Sequence, residues 1–164
     1  MERFRLIVAA AALSVLPAAP AGAETSSGSQ IRPAAVQTRL RFASGRSIRV
    51  DVVDTPASRE KGLMFRKSLP KDYGMLFVFP NEMGMQFWMK NTWVSLDIVF
   101  IGKDKRITRL HERVKPSTEK TTDEEVARAN GLAQYVLELP AGAARRYKLK
   151  EGQALGFLAP IPER

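Results

Sequence analysis

Across residues 46–53 apolar and polar side chains alternate, with Ile48, Val50 and Val52 on one face and Arg49 and Asp51 on the other. That period of two predicts a half-buried β-strand. Residues 36–43 have similar character, and the intervening Ser44-Gly45 predicts a β-hairpin. Thr55-Pro56 then opens a short helix to about Leu63, with Thr55 as N-cap and Pro56 at the first helical position, where no N–H is needed. Residues 74–79 form a continuous apolar run, predicting a strand buried on both faces. Further strands are predicted over 86–91, 96–102 and 106–110, with Gly102-Lys103-Asp104 as a turn. The polar stretch 115–130 contains Thr122-Asp123-Glu124-Glu125, the pattern of a capped helix start, ending near Asn130-Gly131. A strand over 134–139, a helical turn over 141–148 and a last strand over 153–159 complete the chain. Seven or eight short strands with two or three short helices predict a mainly β, single-domain sandwich or barrel.

The informative residues are the polar ones inside apolar sequence, since an unpaired buried charge is too costly to leave there. On a strand over 86–91, Phe87 and Met89 point to the core while Trp88 and Lys90 share the opposite face. Asp97 shares its face with Val99 and Ile101, so a hairpin between this strand and the next would bring Asp97 near Lys90, with Asn91 and Thr92 at the turn. One reading is a lysine–aspartate pair with turn hydrogen bonds. The other is a polar pocket walled by Trp88, whose indole stacks on flat ligands while Lys90 holds an anion and Asp97 accepts from a hydroxyl. Arg59, Glu60 and Arg66 form either a solvated helix face or an anion clamp, for which a planar guanidinium is well suited. Glu138 either alternates toward solvent or supplies a second carboxylate. Leu76, Phe77, Val78, Phe79, Phe87, Ile98 and Phe100 are the expected core.

Asp54-Thr55-Pro56-Ala57, Arg59, Gly62-Leu63-Met64-Phe65-Arg66, the run 74–80, residues 87–92 and Leu96-Asp97 together resemble the DUF192 family, also called UPF0127. The resemblance spans residues 50–101 and places Arg59 and Arg66 within the family pattern. It implies a mainly β, jelly-roll-like fold and carries no biochemical activity with it. Against that pattern 115–131 is a local insertion, and Gln153 stands where an acid is common.

The N-terminus changes the picture of where the chain works. Arg3 and Arg5 precede an apolar run over 6–16, and Ala21-Gly22-Ala23 offers a cleavage pattern before Glu24. The run is too short for a permanent membrane span, so a signal peptide over 1–23, a flexible leader over 24–35 and a folded domain over 36–164 are expected, in a periplasmic or secreted monomer. The chain has no cysteine, which excludes disulfides, thiolate metal sites and a cysteine nucleophile. A net charge of +9 favours anionic partners, and no nucleic-acid motif is present. Enzyme signatures such as G-x-S-x-G, H-E-x-x-H and a phosphate-binding glycine loop are absent. Met83, Met85, Met89, Trp88 and the single His111 suggest copper, but residues four apart on one strand lie roughly 13 Å apart, so no metal or cofactor is expected. Three functions remain: a cell-envelope module binding a small polar, anionic or glycan-like ligand through Arg59, Arg66, Trp88, Lys90, Asn91, Thr92, Asp97 and Glu138; a carboxylate-dependent hydrolase or glycan-processing enzyme using Asp97 with Glu138 or Glu60; or a protein-interaction module.

Overall fold

The structure, a computed structural model, describes residues 36–158 and 161. The expected signal peptide and leader lie outside these residues. The elements in chain order are β1 (Val36–Arg41), β2 (Ser47–Val53), α1 (Pro56–Lys61), β3 (Tyr73–Trp88), β4 (Leu96–Ile101), β5 (Ile107–Val114), β6 (Arg128–Pro140), α2 (Ala143–Tyr147) and β7 (Gly156–Phe157). The fold is mainly β. Among the described residues seven strands make one sheet in the order β5-β4-β6-β3-β2-β1-β7, curled as a half-barrel. All neighbours are antiparallel except β2 and β3, which run parallel because α1 and the segment after it carry the chain back across the sheet. Among the described residues no helix is long and apolar enough to cross a membrane.

Alternation along the strands gives the sheet two apolar faces. Leu40, Ile48, Val50, Leu76, Val99, Ile101, Leu137 and Leu139 pack on one, closed by Ala143, Ala144 and Tyr147 of α2. Met75, Phe77, Ile98, Phe100 and Val136 pack on the other, covered by Leu63, Met89 and Val126 from connecting segments. Gly131 permits the close approach on that second face: a Cβ built there would lie 2.4 Å from Phe100 Cγ.

The local expectations of the β1–β2 hairpin, the α1 start and the α2 turn match the structure. Others do not. The strands expected over 74–79 and 86–91 are one long strand, β3, with a register shift between Val78 and Met83. The helix expected to start at Thr122 is a single turn, in which Val126 N–H bonds Thr122 O, before the chain enters β6 at Arg128. β6 then takes the hydrogen bonds of both β3 and β4, so the hairpin expected between 86–91 and 96–102 does not form. The last strand shortens to Gly156–Phe157.

Asp97 is therefore not beside Lys90. Its side chain is fully buried, with Oδ1 accepting from Arg113 N–H at 2.8 Å and Oδ2 from Ala144 N–H at 2.8 Å. The pairing of β4 with β5 shifts register between Leu96 and Ile98, opposite Asp97, and Arg113 has φ 52. A left-handed arginine in a strand is disfavoured, and the Asp97 carboxylate holds this bulge while tying it to the start of α2.

Candidate functional site

The site begins with the cap of α1. Thr55 Oγ1 accepts from Ser58 N–H at 3.2 Å and Ser58 Oγ from Thr55 N–H at 3.1 Å, a reciprocal cap with serine where Glu or Gln is usual. This sets the position of Arg59. Its Nη1 donates to the carbonyls of Asp54 and, at 2.9 Å, Val78, and the guanidinium lies 4.9 Å from the Phe79 ring centroid. Arg59 thus fastens α1 to β3.

After α1 the chain turns sharply. Gly62 has φ 43 and Phe65 φ 63, and Phe65 N–H bonds Asn91 O at 2.8 Å. Asn91 itself has φ 53, a conformation its side chain tolerates better than most. Thr92 N–H bonds Met89 O at 3.0 Å, and Ser117 from the 115–131 segment bonds both Met89 O and Thr92 O. The segment that reads as an insertion therefore supports the turn carrying Lys90, Asn91 and Thr92. It also supplies Asp123, whose Oδ1 is 2.8 Å from Lys90 Nζ. Both partners are largely solvated, so the pair contributes little to stability, about 0–1 kcal/mol. Lys90 lies in the turn beyond the end of β3, and its Nζ sits 5.0 Å from the Trp88 ring.

Between α1 with residues 62–64 and the distal half of β3 lies a cleft of about 750 Å³. Phe77, Phe79, Met83, Met85 and Phe87 form its apolar walls, while Arg59, Glu60, Lys61, Trp88, Lys90, Asn91 and Thr92 contribute polar and aromatic groups. Glu138 lies deep within it. Of the residues expected at a site, the cleft brings together Arg59, Trp88, Lys90, Asn91, Thr92 and Glu138. Asp97 is not among them: on β4 it stands opposite Leu139, while Glu138 stands opposite Ile98, so the two carboxyls point to opposite faces of the sheet. Arg66 is adjacent to the cleft without lining it. Its Nη2 lies 3.7 Å from Asp51 Oδ2, which also accepts from Tyr73 OH at 2.7 Å. Burial and this hydrogen bond to Asp51 push the Tyr73 hydroxyl well above its usual range.

Glu138 is the unusual group. Only 7% of the residue is exposed, and Oε2 has no hydrogen-bond partner among the described residues. Its neighbours in register are Met75 on β3 and Ile98 on β4, both apolar and buried. Burial pushes its pKa up to about 8 against the opposing charge of Arg66, so the carboxyl is protonated at neutral pH. The folded chain consequently binds one more proton than the unfolded chain between the ordinary value of 4.5 and about 8. Stability conferred by this proton is complete below 4.5 and declines as pH rises toward 8. Glu138→Gln should abolish the decline: urea midpoints of wild type and variant are expected to diverge steadily over that range, and parallel pH profiles would refute the buried neutral acid.

The sequence assigns Phe77, Phe79 and Phe87 to the core, and the structure refines this. Phe77 is buried, whereas Phe79 and Phe87 are only partly so and wall the cleft. Leu63, Met64, Met83 and Met85 join them, unforeseen as a group. The available signal was a Phe- and Met-rich stretch longer than one core-facing strand needs. Met89 is in the core and His111 packs against Phe100 from β5, so neither joins Met83 and Met85 at the cleft.

The profile of the family DUF192, described as an uncharacterized ACR, matches residues 39–157. The chain belongs to the DUF192 family. No curated protein matches it. This DUF192 chain is similar to the crystal structure of a proposed transcription regulator from Sinorhizobium meliloti, at 37% identity and a TM-score of 0.63, over 74% of this chain and 92% of the other. It is also similar to a protein of unknown function from Novosphingobium aromaticivorans, at 33% identity and a TM-score of 0.62, over 74% and 84% of the respective chains.

Proposed function

We propose that this DUF192 protein is an exported binding module of the cell envelope that holds a small polar ligand, anionic or glycan-like, in the cleft beside Trp88. The observation that carries the reading is the composition of that cleft: aromatic and thioether walls, with Arg59, Lys61 and Lys90 providing positive charge near Trp88. Apolar walls with a few convergent polar groups suit a small ligand, and the basic groups attract anions. Export rests on the sequence of basic start, apolar run and Ala-Gly-Ala. The expectation for Arg66 and Asp97 changes accordingly, Arg66 acting on Glu138 by its charge and Asp97 serving the fold.

A thermal-shift panel of envelope glycans, anionic metabolites and copper tests the reading, because a ligand bound to the folded state raises the melting temperature. An anion or glycan is expected to do so in wild type. Lys90→Ala should lose the response while its own melting temperature stays close to wild type, since its ion pair is solvated. A response unchanged in the variant would place the ligand elsewhere, and silence across the panel would count against the module.

One observation favours a second reading. Protonated Glu138 and Glu60 line the same cleft, the pairing a carboxylate-dependent hydrolase would use as acid and base. Product formation from a glycan that binds, lost in Glu138→Gln, would decide for it.

A further inference from the structure

The cleft contains a hydrogen-bonding atom that the fold itself leaves unused. Glu138 Oε2 is buried without a hydrogen-bond partner among the described residues, and Arg66, the charge that favours its ionised form, has Asp51 at 3.7 Å. Buried orphan polar atoms are rare because each forfeits its hydration without return. Nothing about packing requires an acid at this position: Met75 and Ile98, its neighbours in register, are apolar. Oε2 is screened from solvent as placed, and a turn of the carboxyl about its soft terminal torsion would present it to a ligand donor in the cleft.

The surroundings select the type of donor. Arg59, Lys61 and Lys90 outnumber Glu60 among the lining residues, so an approaching cation is opposed and an anion attracted. A neutral donor such as a hydroxyl meets no such opposition and is compatible with a protonated acid, which still accepts through its second oxygen. Spacing then links the two ends. Glu138 is level with Met75 on β3, whereas Arg59 Nη1 bonds the carbonyl of Val78, three residues farther along the strand. Three residues of strand span about 10 Å, and Phe77 lies between.

We propose that Glu138 is the inner anchor of the cleft, and that its ligand is an elongated hydroxy acid with an apolar or flat body. The hydroxyl donates to the Glu138 carboxyl, the body lies against Phe77 and Phe87, and the anionic group faces the Arg59 end. This deepens the binding-module reading and rests on it.

Three matched probes test the proposal by calorimetry on the full chain: p-hydroxyphenylacetate, phenylacetate lacking the hydroxyl, and tyramine, with an ammonium in place of the carboxylate. Wild type is expected to bind p-hydroxyphenylacetate at least tenfold more tightly than phenylacetate, the factor that corresponds to about 1.4 kcal/mol, and to bind tyramine more weakly than either. Glu138→Leu should retain phenylacetate binding and lose the hydroxyl preference. It replaces an unsatisfied carboxyl with an apolar group of similar size, so the fold should persist; Glu138→Met is read in its place if circular dichroism shows otherwise. Equal affinity for the hydroxylated and deoxy probes, a preference that survives in the variant, or tyramine binding as well as the acids would each overturn the proposal. Failure of all three probes to bind would overturn it too. If a compound of the broader panel still raised the melting temperature in that case, the binding-module reading would stand without the hydroxy acid.

Discussion

Asp97→Ala is expected to lower stability by roughly 3 kcal/mol or more, because a buried hydrogen bond to a charged group contributes about 1.5–3 kcal/mol and the side chain makes two. The loss exceeds that of an ordinary surface aspartate for a geometric reason. One of its donors belongs to Arg113, a residue at φ 52 in a bulge of β5, and the other to Ala144, at the start of α2. Removing the carboxylate leaves the Ala144 N–H buried and unpaired and releases both elements. Asp97→Asn should recover part of the loss, since its amide oxygen can still accept from one donor while its NH₂ faces the other. Urea unfolding of the three proteins should give the order wild type, Asn, Ala. If Asp97 instead belonged to a ligand site paired with Lys90, as a hairpin between 86–91 and 96–102 would have placed it, the Ala variant would keep its urea midpoint and lose binding.

Phe77→Ala should cost about 3–5 kcal/mol, a large share of the roughly 5–15 kcal/mol that holds a domain together. The ring is 2% exposed and meets Phe87 edge to face at 5.0 Å. On its other side it abuts the turn after α1, where a Cβ built on Gly62 would lie 3.2 Å from Phe77 Cζ. Truncation therefore opens a cavity between the sheet and that turn, beneath the cleft. Phe79→Ala is the control: its ring is only partly buried, and its loss should be smaller. A wild-type midpoint for Phe77→Ala would remove the ring from the core.

The parts of the site that were legible in the sequence depend on neighbours in the chain. The Thr55 cap and Pro56 start place Arg59 on α1, and a separation of two residues leaves Lys90 close to Trp88. Both follow from backbone geometry within a few residues. Alternation likewise gives Asp97 the face of Val99 and Ile101, which is where it lies. It could not give the strand beside it. A hairpin between 86–91 and 96–102 is the shortest connection, yet β6 arrives some thirty residues later and pairs with both flanks, covering far more apolar surface than the hairpin would.

The sequence by itself determined the β class, the DUF192 membership, the start of α1 and the faces on which the side chains of β2 and β4 lie, because caps, turns and a period of two are local properties. Only the tertiary structure decided which side chains meet. The insertion of β6 between β3 and β4 separates Lys90 from Asp97, gives Lys90 to Asp123 and Asp97 to two backbone N–H groups, and sets Glu138 between Met75 and Ile98. The reason is physical: in a curled sheet, burial depends on what covers a face, and here the cover comes from α1 and the turn after it, remote in sequence from Glu138, and from the 115–131 segment that leads into its own strand.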